Sequence, residues 1–101
     1  MNANMAKCLV VSKVLVADGI MTDDERGFLA AMMDRLELTE DERRSVVELE
    51  GLDEADRIVG ALSAAERSEL IELLVDAASA DGRLSPHELV AVKRVSDALG
   101  L

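Results

Sequence analysis

Carboxylates hold most of the chemical potential of this sequence, and two groups of them recur with the same neighbours. Asp18 and Glu25 sit in Ala17-Asp18-Gly19-Ile20-Met21-Thr22-Asp23-Asp24-Glu25. Asp81 and Glu88 sit in Ala80-Asp81-Gly82-Arg83-Leu84-Ser85-Pro86-His87-Glu88, 63 positions later. Carboxylate oxygens are hard ligands, so four of them brought together would suit a divalent cation such as Mg²⁺ or Ca²⁺. Zinc fits poorly, because the single His and single Cys lie far apart in the sequence. The spacing also resembles the back half of an EF-hand loop. In that register the first two ligand positions fall on Val14 and Val16 in one copy and on Ala77 and Ser79 in the other. Neither valine has an oxygen to offer, which excludes a standard EF-hand for the first copy and nearly so for the second.

The same residues also have a purely architectural reading. Thr22 and Ser85 are good helix N-caps, and Glu25 and Glu88 follow three residues later, which makes two capping boxes. Gly19 and Gly82 suit the left-handed residue after a helix end. Pro86 falls at a first helical position, where its missing N–H costs little. Each copy is thus a tight corner between two helices. Further boxes at Thr39–Glu42 and Ser63–Glu66 show that the chain uses the device generally. Catalysis has no comparable support: there is no glycine-rich phosphate loop, no H-E-x-x-H and no nucleophile beside a base. The sequence therefore predicts neither an enzyme nor an organic cofactor.

The elements that carry the corners read as helices. Residues 5–17 are apolar around most of the helix, through Leu9, Val10, Val11, Val14, Leu15 and Val16, which predicts a central element. Residues 23–36 place Phe28, Leu29, Met32, Met33 and Leu36 on one stripe. If exposed, those Met and Leu side chains would support a homodimer. Helix three, 40–50, should turn Val46, Val47 and Leu49 inward and end at Gly51. Helix four, 54–61, should be capped by Asp53. Helix five, 64–80, carries Leu70, Ile71, Leu73, Leu74, Val75 and Ala78, and helix six, 86–99, carries Leu89, Val92, Val95 and Leu99. Residues 1–4 should fray. Helices one and two match helices five and six in register. The predicted fold is an all-α single domain over 1–101, in which two hairpins related by a pseudo-two-fold axis are joined by a helical bridge. Lys13 and Asp76 occupy equivalent places, which predicts an ion pair between helices one and five.

Charge narrows the partners. The 101 residues carry a net charge of −10, with 50% hydrophobic residues and one aromatic, Phe28. Such a balance repels nucleic acid and anionic lipid and favours cations or a basic protein surface. Residues 37–56 hold nine acids against Arg43 and Arg44. No apolar run is long enough to span a bilayer. Cys8 alone cannot form a disulfide within the chain, and a reducing, cytoplasmic setting fits.

The doubled A-D-G-x-φ-[ST]-x-x-E corner with a helical bridge between copies resembles the tellurite-resistance TerB-like family, over residues 5–101. That family includes the N-terminal domain of a membrane-anchored DnaJ-like co-chaperone. The resemblance implies an all-α domain of stress-response systems, often beside membrane or metal-handling partners. It also makes Asp18, Glu25, Asp81 and Glu88 the candidate ligands of a divalent cation. His87 sits inside the second corner, and the bridge is shorter and more acidic than in the longer members. Two other readings accompany it: an EF-hand-like ion sensor that exposes apolar surface, and a purely structural interaction domain.

Overall fold

The computed structural model describes residues 1–16, 22–78 and 86–100; the side chains of Asp24, Phe28, Ala77, Ala78, His87 and Glu88 also lie outside that description. The described residues form six helices and no strand: α1 (Ala3–Leu15), α2 (Asp23–Arg35), α3 (Glu40–Val47), α4 (Leu52–Gly60), α5 (Ala64–Ala78) and α6 (Pro86–Ala98). The architecture is the all-α bundle that the sequence predicts.

The apolar girth of α1 makes it the centre. It packs most extensively on α4 and also meets α2, α3 and α6. Its Ala6, Cys8, Leu9, Val10, Val11, Ser12 and Leu15 are all buried. Burying several sides at once overrides the mild dislike of β-branched Val10 and Val11 for a helix. Around α1, α5 lies mainly against α2, and each terminal hairpin also packs within itself, α1 on α2 and α5 on α6. Met32, Val46, Leu70, Leu74 and Val95 complete an aliphatic core. The Cα radius of gyration is 12.3 Å, close to the ~13 Å of a compact chain of this length.

Turn chemistry sets the links. Thr39 and Ser63 cap α3 and α5, each accepting from the backbone N–H three residues on, while Glu42 and Glu66 accept from the Thr39 and Ser63 N–H groups. α2 and α3 both end in Schellman motifs. In the first, Leu38 N–H donates to Met33 C=O and Glu37 N–H to Asp34 C=O, both at 3.1 Å; in the second, Glu50 N–H donates to Ser45 C=O and Leu49 N–H to Val46 C=O. The left-handed residues are Glu37 and Leu49, each with φ 56°, where a glycine is usual.

Several expectations about detail are corrected. The first residues make contacts where fraying is expected. Asn2 caps α1 by accepting from Met5 N–H at 2.8 Å and donates to Glu42, and the Met1 ammonium pairs with Glu54. α1 accordingly begins and ends two residues earlier than its periodicity suggests. Leu49, not Gly51, ends α3, and Gly51 (φ 83°) opens α4 with no side-chain cap, leaving Asp53 in the first turn. Val47 is 70% exposed, because neighbouring helical positions diverge by about 100° and Val46 takes the inward one. The buried stripe of α6 is Ala91, Val95 and Leu99, which turns Leu89 and Val90 outward. Leu29, Met32 and Met33 of α2 are buried.

Candidate functional site

The first corner is described from Thr22 onward. Thr22 has extended backbone, which aims its hydroxyl at the free N–H groups of the next turn. Its oxygen accepts from Glu25 N–H at 3.1 Å, and Glu25 Oε1 accepts from Thr22 N–H at 2.8 Å. Glu25 is nevertheless unlike an ordinary capping-box glutamate, because it is only 5% exposed. Its second oxygen lies 4.0 Å from Nη1 of Arg94, on α6. Arg94 Nη2 in turn donates to the Val14 carbonyl in the last turn of α1. One oxygen of Glu25 thus serves the capping box, and the other lies 4.0 Å from an arginine of the same chain.

The remaining candidates, Asp18 and Asp81, and the side chain of Glu88, lie outside the described residues. Among the described residues no group of three or more His, Cys, Asp or Glu side chains is placed to hold a metal ion.

The predicted Lys13–Asp76 pair is not made. Lys13 Nζ meets Asp56 Oδ2 at 2.9 Å instead. The reason is topological: α1 lies along α4, while α5 lies mainly along α2.

The acids of the bridge divide into two groups. Asp41 pairs with Arg44, and Glu42, Glu54 and Asp56 meet Asn2, the N-terminal ammonium and Lys13. Glu37, Glu40, Glu48, Glu50 and Asp53 are exposed and form no ion pair among the described residues. Crowding shows in Glu50, whose pKa is raised by a hydrogen bond to the Glu48 carboxyl and by its like charge. Glu42 and Glu66 go the other way, lowered first by the backbone N–H groups of Thr39 and Ser63.

A set of arginine caps escaped the sequence reading. Arg43 Nε donates to Leu38 C=O at 3.1 Å while its Nη1 meets Asp34. Arg67 Nη1 donates to Leu99 C=O at 3.1 Å, and Arg94 serves Val14. Each satisfies a carbonyl at or just beyond the end of a helix other than its own. The usual signal is a basic residue in the last turn of the same helix, so a single sequence holds no local cue for these. A cleft of about 130 Å³ lies beside Arg67, between Val10, Asp56, Val59 and Leu99. Arg67 Nε is buried there without a hydrogen-bond partner. Cys8 is also buried, and burial pushes its thiol up to about 12, which makes it inert.

Residues 4–101 match the family model described as Tellurite resistance protein TerB. The chain belongs to the TerB family. No curated protein and no solved structure matches the chain. The TerB match runs through both hairpins and the bridge, so the corner and the acidic helices are parts of one family unit. Among the described residues no helix of this TerB chain is long and apolar enough to cross a membrane.

Proposed function

We propose that this TerB chain is a non-enzymatic interaction module that meets a basic protein surface through the acidic face of α3 and α4. The observation that carries the reading is the set of exposed carboxylates there, Glu40, Glu48, Glu50 and Asp53, which form no ion pair among the described residues. Like charges held together favour association with a cationic surface, with a strong salt dependence. Fluorescence anisotropy with a labelled arginine-rich peptide tests it. Binding by the parent should weaken as salt rises, and the Glu48→Lys/Glu50→Lys/Asp53→Lys protein should lose about tenfold or more, the loss of ~1.4 kcal/mol. Equal binding by parent and variant would refute the reading.

A second reading, favoured by the repetition of the acidic corners, keeps a divalent cation, Mg²⁺ or Ca²⁺, at Asp18, Glu25, Asp81 and Glu88. Glu25 is the weakest member of that set because Arg94 already faces it. Thermal melting of metal-free protein against each ion tests it, with Asp18→Asn/Asp81→Asn as control. An ion at a hundred times its dissociation constant stabilises by ~2.7 kcal/mol. An ion sensor would also change its binding of an apolar dye when the ion is added; a rigid module would not.

A further inference from the structure

We propose that Arg94 is a built-in counter-ion for the first corner, and that Glu25 is a positioning residue clasped by it, withdrawn from any external cation. Two helix ends and the body of a third helix meet at this point: the last turn of α1 through Val14, the first turn of α2 through Glu25, and α6 through Arg94. The last turn of α1 presents the Val14 carbonyl to Arg94, and the α2 start presents a buried carboxylate. Left alone, that carboxylate would be costly, since a buried charge requires a partner. A guanidinium answers both, because its planar fork carries donors in two directions.

The alternative occupant is disfavoured by the same geometry. A divalent ion needs oxygen lone pairs turned toward an accessible point. Glu25 has one oxygen in the capping box and the other 4.0 Å from a positive charge, at 5% exposure. An ion bound there would be repelled by Arg94 unless the clasp opened.

The internal repeat supports a specialised role. Shifting by the repeat length carries Arg94 onto Ala31 of α2, and Glu88 onto Glu25. Alanine has no side-chain donor, so the equivalent position of the first hairpin cannot supply such a clasp. The capping box is shared by both corners in sequence, whereas the arginine position is not. Arg94 thus ties the second hairpin to the first, where α6 packs on α1 and α2.

The test is a double-mutant cycle of Arg94→Met and Glu25→Gln, followed by thermal melting and by hydrogen exchange. Arg94→Met should lower Tm by roughly 5 °C or more, and speed exchange about tenfold at amides of both the last turn of α1 and the first turn of α2. Adding Glu25→Gln to it should lower Tm by much less than Glu25→Gln does alone. Additive effects, or faster exchange confined to α6, would overturn the clasp. If Arg94→Met does not fold, Arg94→Lys serves, since the ammonium keeps the charge but loses the fork; an unchanged Tm and unchanged exchange would then overturn it. A Mg²⁺ or Ca²⁺ titration of Glu25→Gln closes the question. A melting shift equal to that of the parent, including none in either, supports withdrawal of Glu25, and a parental shift that Glu25→Gln abolishes refutes it.

Discussion

Glu37 and Gly100 occupy the same place in the two hairpins, and both are left-handed, with φ of 56° and 76°. Each follows the end of its helix, and each N–H donates to an aspartate carbonyl three residues back, Asp34 or Asp97, at 3.1 Å. Only the second copy has the residue that this conformation favours. A Cβ in the left-handed region costs roughly 1–2 kcal/mol. Glu37→Gly gives back some of that in unfolded-chain entropy, and it also removes one unpaired acid. The net expectation is a gain of about 0.5–1 kcal/mol, read as a higher urea midpoint with an unchanged slope.

Gly51 gives the converse case. Its φ is 83°, and an added Cβ would fall 2.7 Å from the Met1 Cε. That contact is with the end of a flexible side chain and is relieved cheaply. The backbone strain is not. Gly51→Ala should therefore destabilise by about 1 kcal/mol or more, and deleting the Met1 side chain contact should not rescue it.

The hairpins, the capping boxes and the aliphatic core could be read from the chain because they depend on local spacing. Thr22 with Glu25, and Thr39 with Glu42, announce themselves three residues apart. What the sequence hid depends on which helix lies beside which. Val46 and Val47 are equally apolar, and only the direction of α1 decides that one is buried and the other exposed. Lys13 finds Asp56 rather than Asp76 for the same reason. Glu25 read first as a capping residue and second as a ligand; its burial against Arg94, 69 positions away, had no local signal.

The Lys13–Asp56 pair makes this topological point measurable. Both side chains are about half exposed, 49% and 44%, so screening keeps the pair weak. A Lys13→Ala/Asp56→Ala cycle should give a coupling of about 0.2–1 kcal/mol that fades in high salt. Lys13→Ala with Asp76→Ala should be additive.

Titration should separate the capping carboxylates from the crowded ones. Glu42 and Glu66 have folded pKa values below the ordinary 4.5, so their ionised forms favour the folded state. Their contribution is full above that value and is lost as pH falls through the lowered folded values. Glu50 has the opposite sign. Its raised pKa means a contribution that is full below 4.5 and lost as pH rises through the folded value, when it and Glu48 repel as two charges. Glu42→Gln and Glu66→Gln should flatten the loss of Tm below pH 4.5, with the parent and each variant melted across pH 3 to 7. Glu48→Gln should raise Tm at pH 7 and do little at pH 3. A gain of equal size at both pH values would mean that the Glu48–Glu50 contact is not electrostatic, and would remove one support for the acidic face as a surface seeking a basic partner.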